Sequence, residues 1–184
     1  MGRTEWRPLA AVGAWARRQA DGYRGGADRP LGGYLGLLAA YAGGTGAGAV
    51  WAARRGRRRT AAVRREVAPW DVAMLAMATH KLSRIIAKDP VTSPLRAPFT
   101  RYQGLGAPGE LAEEVRGEGW RHSVGELLTC PMCLAQWVAT GFGLGLLIAP
   151  RSTRVALATM TAVAGADFLQ HAYVRLQQAT EQDG

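Results

Sequence analysis

Read by polarity alone, the chain alternates between uncharged runs and charge-dense ones. Leu31–Ala53, "LGGYLGLLAAYAGGTGAGAVWAA", is 23 residues without a charge, and a helix needs about 20 such residues to cross the hydrocarbon core of a bilayer. Leu127–Ala149 is a second uncharged run of the same length. Pro131 suits the first turn of its helix, where a missing N–H costs nothing, and Pro150 marks its end. Val155–Val174 is the third run, broken only by Asp167 and His171, which lie four apart and so share one helical face. The short link from Pro150 to Arg154 predicts that the last two helices form an antiparallel hairpin. A fourth helix is predicted over Trp70–Lys88, bounded by Pro69 and Pro90. Val72, Leu75, Thr79, Leu82 and Ile86 recur there at helical spacing, with Lys81, Arg84 and Lys88 on the opposite side. Spanning would put Lys81 near the bilayer midplane, where a charge costs about 2.5–3.5 kcal/mol. This helix is therefore either amphipathic and interfacial or a fourth span. The fold class that follows is all-α: an integral membrane helical bundle with three spanning helices plus one amphipathic or fourth spanning helix, multi-pass in the cell membrane.

Three regions follow from the same pattern. Residues 1–68 hold the Gly-rich span and an Arg-rich flank, residues 69–173 a membrane domain, and residues 174–184 a polar tail. Within the second, residues 91–126 read as a long polar loop with a short helical piece near Glu110–Arg116. Small residues four apart, Gly32/Gly36, Gly44/Gly48 and Gly141/Gly145, suit close helix contact and a homo-oligomer built on such faces.

Charge changes the picture more than composition does. The average, 48% apolar and 20% charged over 184 residues, would pass for one soluble domain. The net charge of +9, however, arises entirely in the first 68 residues, and seven arginines lie between Arg54 and Arg65. Such a block favours anionic headgroups or nucleic acid, and no nucleic-acid partner is expected because the aromatics are not interleaved with the arginines. The partner it implies is membrane lipid. The amino-terminal stretch lacks the continuous apolar core of a secretory signal. If Trp70–Lys88 lies on the surface, everything from Arg54 to Glu126 shares one side, and charge bias places that side in the cytoplasm. If it spans, Cys130 moves to the face opposite the arginine block.

Four groups of residues are candidates for chemistry. Cys130 and Cys133, in "CPMC" at a helix start, are the chain's two cysteines. They could be a thiol redox pair activated by the helix N-terminus, although a second cysteine pair to pass electrons on is missing. They could be half of a zinc site, with His122 as the best local third ligand and His80, His171 or Asp167 as others. They could also be small apolar residues that let the helix start pack tightly. Lys81, Arg84 and Lys88, with Arg96 after them, form a basic strip that could cradle a lipid headgroup or another anion, with Asp89 beside it. Asp167 and His171 are expected to form a buried polar pair in an apolar run. Lys81 or Arg84 could pair with Asp167 as a bridge between helices.

Taken in order, "THKLSRIIAKDPVTSPLRAPF", "GELLTCPMCLAQWVA" and "AGADFLQHAY" resemble DUF1360, a bacterial membrane family of unknown function (sporulation protein YjcA-like). Lys81 and Ser83 stand where the family pattern has Arg and Thr. Asp89, Pro94 and Arg96 match its second motif, and Cys130, Pro131, Cys133, Leu134 and Trp137 its third, with Gln136 atypical. The resemblance covers about residues 69 to 173. It implies a membrane location and no reaction. The expected function is a non-enzymatic module that binds a partner or anionic lipid through its basic face. The alternative is a membrane thiol oxidoreductase or metal-binding protein using the Cys-Pro-Met-Cys motif.

Overall fold

The computed structural model describes residues 7–24, 29–56 and 67–182. In chain order the elements are α1 (Arg7–Arg24), α2 (Leu31–Gly56), α3 (Pro69–Lys88), a 3-10 turn (Pro90–Thr92), α4 (Ser93–Arg96), β1 (Thr100–Leu105), β2 (Leu111–Val115), α5 (Trp120–Thr129), α6 (Pro131–Ile148) and α7 (Pro150–Gln182). Prolines punctuate the long helices as expected. Pro69 opens α3 in its first turn, Asp89 before Pro90 closes it, and Pro131 opens α6. A residue ahead of proline is pushed out of the helical region, which sets these boundaries.

Three contacts along α3 and α7 fix their relative direction. Arg154 donates to both oxygens of Asp71 at 2.8 and 2.6 Å. Thr161 Oγ1 donates to the Met74 carbonyl at 3.1 Å, and Lys81 Nζ donates to Asp167 Oδ2 at 2.6 Å. Numbers rise together on both helices, so α3 and α7 run parallel. α6 folds back on α7, with Gly145 against Thr153, as the predicted hairpin requires. α2 runs parallel to α6, since Tyr41 meets Thr140 at 2.5 Å and Gly48 lies further along against Leu144. Two helices therefore point one way and two the other. The apolar core sits where α3, α6 and α7 meet, at Ala78, Leu146 and Leu157 with Met74, Leu75, Phe142 and Met160 around them.

This arrangement decides the position of α3. It connects the end of the bundle where α2 finishes to the end where α6 begins, so Arg54 and Cys130 stand at opposite ends. Its packed face also differs from the predicted stripe. Asp71, Ala78, Thr79, Ser83 and Ala87 are buried, whereas Val72 is exposed. Small and hydroxyl side chains allow the three helices to approach closely, while Met74, Leu75, Leu82 and Ile86 are half-buried at the margins of that contact.

The structure corrects two expectations about fold class. It is mostly helical, but residues 100–115 form a two-stranded antiparallel sheet, β1 with β2, so it is not all-α. The short helix expected near Glu110–Arg116 is strand β2. Gly109 and Gly117, both at positive φ, bracket a segment too short to pay for helix nucleation, and pairing with β1 supplies its hydrogen bonds instead. The long polar loop is thus a folded cap, seated on α5 through Gly125. Among the described residues one helix, α6, is long and apolar enough to cross a membrane. α2 and α7, expected as spans, fall short of that measure. Glycines dilute the first, and Asp167, Gln170 and His171 interrupt the second. Of the predicted small pairs, Gly48 and Gly145 make close contacts, while Gly32, Gly36, Gly44 and Gly141 face open space.

The cap's seat yields a test. A Cβ on Gly125 would lie 2.5 Å from Val115 Cγ1 and 3.0 Å from the Phe99 carbonyl. Gly125→Val should cost about 1–3 kcal/mol by overpacking, read as a lowered midpoint of thermal unfolding in detergent. Gly143, with nothing within 4 Å, should tolerate Ala without loss. Equal behaviour of the two variants would contradict the close seat of α5.

Candidate functional site

The cap is held to α3 by one buried arginine. Arg96 is 0% exposed. Its guanidinium donates to the carbonyls of Ile86 at 2.7 Å and Asp89 at 3.0 Å, which are among the acceptors that the end of a helix leaves unpaired. It also donates to Thr92 Oγ1 at 2.8 Å and pairs with Glu113 of β2. Thr100 Oγ1 closes the ring by donating to the Arg96 carbonyl at 3.0 Å and to Glu113 Oε1 at 3.3 Å. One side chain thereby ties the end of α3, the turn after it and the hairpin into a unit. A cation at a helix C-terminus also meets the negative end of the helix dipole.

A second polar node joins the cap to α2. Glu126 accepts from Tyr34 and from Arg29 Nη1 at 2.8 Å. His122 Nε2 lies 3.4 Å from the same carboxylate, and its Nδ1 lies 3.3 Å from the Gly117 carbonyl. The Tyr34 hydroxyl and then the Glu126 charge hold Arg29 more firmly protonated than usual. Ser123 is buried against Pro30 and the start of α2, its hydroxyl donating to the Pro30 carbonyl at 3.4 Å. Further along, Gln136 Nε2 donates to Tyr41 Oη at 2.7 Å, and the rings of Tyr41 and Trp137 meet edge to face at 5.1 Å. They line part of a shallow cavity of about 160 Å³ with Gly44, Thr45, Gly141 and Leu144.

Cys130 and Cys133 sit where α5 hands over to α6. Cys130 is the N-cap of α6, its sulfur accepting from the Cys133 N–H at 3.2 Å, and the two residues are joined as a disulfide with Cα atoms 5.2 Å apart. The packing reading, in which both are apolar thiols, gives way to a cross-link over one helical turn. Cys133 is exposed, and Met132 beside it is 87% exposed. His122 directs both ring nitrogens into the cap. Among the described residues no three His, Cys, Asp or Glu side chains gather to hold a metal ion.

The basic strip is largely turned onto the chain's own carboxylates. Lys81 pairs with Asp167, Arg84 with Glu110 and Arg96 with Glu113. Lys88 stands half-buried in the last turn of α3. Asp167 and His171 do share a face, but they are not a buried pair. His171 is exposed, and its Nδ1 lies 2.8 Å from the Asp167 carbonyl oxygen rather than the carboxylate. His80 stacks on Phe168 with centroids 6.4 Å apart. Sequence reasoning missed Glu113, Glu110, Glu126, Tyr34 and the Asp71–Arg154 bridge. The available signal was the balance of seven acids against seven bases over residues 69–126, which is what internal pairing produces.

Comparison with known proteins places these residues in a family. The family model described as "Protein of unknown function (DUF1360)" matches residues 74–173, which contain the α3–α6–α7 core, Arg96 and the disulfide. The chain is also similar to "Sporulation protein YjcA" of Bacillus subtilis (strain 168), 31% identical over 71 residues. That match covers 37% of this chain and 60% of the relative, so the chain spans less than two thirds of that protein's length. No solved structure matches.

The Arg96 node can be broken asymmetrically. Arg96→Met strands the Glu113 carboxylate, 6% exposed, and should cost about 3–5 kcal/mol. The double variant Arg96→Met with Glu113→Leu should recover a large part of that loss. Denaturant titration of the three proteins checks it, and a single variant as stable as the parent would show that the node anchors nothing.

Proposed function

The chain belongs to the DUF1360 family, and on that premise we propose that it is a small integral membrane protein whose helices α2, α3, α6 and α7 cross the bilayer. Its cap then stands at one surface as a non-enzymatic docking module. The observation that carries this is the inverted distribution of polarity. Buried positions include Asp71, Thr79, Ser83, Arg96, Ser123 and Thr153, whereas Leu35, Leu38, Val72, Leu147, Val155, Phe168 and Leu169 are exposed. Water would penalise such an exterior, and lipid tails would not. Helix lengths agree with it. Leu31 to Trp51, Trp70 to Lys88, Pro131 to Ile148 and Val155 to Tyr173 each measure about 26–30 Å at the rise of an α-helix, close to the hydrocarbon thickness. Trp51 and Trp70 would lie at one interface and Tyr173 at the other, where amphipathic rings prefer to sit.

In this reading Lys81 and Asp167 neutralise each other within the membrane, and the docking charge belongs to the cap. Arg116 and Arg121 donate to the carbonyls of Ala97 at 2.8 Å and Pro98 at 3.5 Å. A carbonyl satisfies a donor but does not cancel its charge, so both remain able to draw anionic headgroups or an acidic partner. Lysine and arginine do not favour a cap on the outside, since nine follow α2 or open α7 whereas about thirteen lie in residues 1–30, the end of α3, the cap and the tail, so the proposed orientation rests on the disulfide. Such bonds persist in oxidising compartments, so the proposed orientation has the cap outside and the other end of the bundle in the cytoplasm.

The exposed disulfide at the α6 N-terminus favours a second reading, a thiol oxidoreductase. A client's dithiol would pass two electrons and two protons to the Cys130–Cys133 bond, leaving the client oxidised and both cysteines as thiols. With no further cysteine in the chain, the pair would exchange only with another molecule. Replacing both cysteines by Ser should leave a docking module working and abolish an oxidoreductase.

Membrane insertion is tested by alkaline carbonate extraction of expressing cells. The protein should stay with the membranes and enter solution only with detergent, whereas a monodisperse soluble species would end this reading. Orientation is tested on intact cells with an impermeant reductant followed by an impermeant maleimide. Labelling of Cys130 and Cys133 is expected from outside, and labelling only after lysis would reverse the orientation.

A further inference from the structure

We infer that α1 is an interfacial helix whose apolar face enters an anionic lipid surface beside the point where α2 crosses the membrane. The location next to α2 rests on the spanning reading above. The amphipathicity of α1 does not.

α1 has 18 residues, and among the described residues it is not one of the elements with extensive packing contacts, so the bundle's core does not account for its apolar side. Val12, Trp15, Gln19 and Tyr23 follow one another at intervals of three and four, which places them on one side of a helix. Val12, Trp15 and Tyr23 are 61%, 58% and 74% exposed, a set of large apolar groups left mostly uncovered. Arg17, Arg18 and Asp21 fall on the other side, and the helix sequence as a whole carries four arginines against one acid. Cationic residues along the polar side with Trp and Tyr on the other are what a helix lying in the headgroup region requires. The apolar side sinks about 5–10 Å while arginines meet phosphates.

Geometry limits where that surface is. Arg24 ends α1 and Leu31 begins α2. The residues between them reach at most about 25 Å when fully extended, so α1 stays close to the entry point of α2. A bilayer also fits better than a second copy of the chain. Pairing two such helices would bring their arginines alongside each other, whereas anionic lipid supplies the missing countercharge.

The test uses the full chain with its native disulfide intact, reconstituted in phosphatidylcholine vesicles with or without phosphatidylglycerol. A nitroxide is attached at one position at a time along residues 12–23. With anionic lipid, collision with oxygen should peak at residues 12, 15, 19 and 23. Collision with a water-soluble nickel chelate should peak at residues 14, 17, 18 and 21. Arg17→Gln and Arg18→Gln should each weaken the partition by about fivefold, seen as a falling contrast between the two probes. A flat, water-accessible profile on anionic vesicles would overturn the inference. So would positions 12, 15 and 23 shielded from both probes, which would mean protein contact. Flotation of the same samples after carbonate treatment reports separately on spanning. A chain that floats with a flat α1 profile sinks this inference alone, and one that fails to float sinks the spanning reading.

Discussion

Two carboxylates and two cations face each other across the seam between α3 and α7, and the direction of the rest of the chain depends on them. Asp71 with Arg154 and Lys81 with Asp167 hold the helices parallel. Two parallel helices cannot be joined by a tight turn, so everything between them must travel out and back. The chain does this through the cap and α6. A register slip of one residue would rotate each charge by about 100° away from its partner, which makes the pairs selectors of register as much as sources of stability. Desolvated ion pairs contribute little net energy but penalise misalignment heavily. The Thr161 hydroxyl on the Met74 carbonyl fits the same description.

The cap repeats this logic on a smaller scale. Its sheet has two strands and could not stand alone in water. What makes it rigid is that Arg96 is saturated by the end of α3 on one side and by Glu113 of β2 on the other. α5 then rests on the hairpin through Gly125 and on the start of α2 through Ser123. The orientation of α6 and of the disulfide at its head therefore follows from one arginine side chain that never meets solvent. Within the segment from Asp89 to Arg96, the arginine acts as a helix cap and hairpin anchor. The Asp89 main chain is one of its acceptors.

How much of this was legible in the sequence varies with the range of the forces involved. The ends of α3 and α6 were readable because proline acts on its immediate neighbours. A pairing of Lys81 with Asp167 could be anticipated because each is a charge within an apolar run and needs a partner. Asp71 and Arg154 gave no such signal, each standing near a helix start where a charge is ordinary. Arg96 read as part of an outward basic strip because burial of an arginine is decided by what closes over it, here a hairpin formed later in the chain. The hairpin itself was hidden. Seven residues between Gly109 and Gly117 satisfy weak helical and strand preferences alike, and cross-strand pairing settles the matter. α1 was legible in principle, since its apolar side keeps the helical period, but its arginines drew attention to charge and away from pattern.

Polarity in this chain is distributed by what surrounds each part. Between α3 and α7 the charges Asp71, Arg154, Lys81 and Asp167 are matched in pairs, and many large apolar groups of the bundle face out. At the two ends the rule reverses. The sequence carries seven arginines from Arg54 to Arg65 after the uncharged run of α2, and Glu114, Arg116, Glu118 and Arg121 stand exposed on the cap. A single solvent would not produce both patterns in one small protein, because water favours an apolar interior throughout and hydrocarbon forbids exposed charge throughout. The proposed spanning arrangement accounts for both, since a slab of hydrocarbon with water on both sides would set its boundaries near Trp51, Trp70 and Tyr173. The disulfide then has a physical place in the scheme. It closes the first turn of α6 where that helix leaves the cap, the point at which a frayed end would expose backbone amides to the edge of the apolar layer.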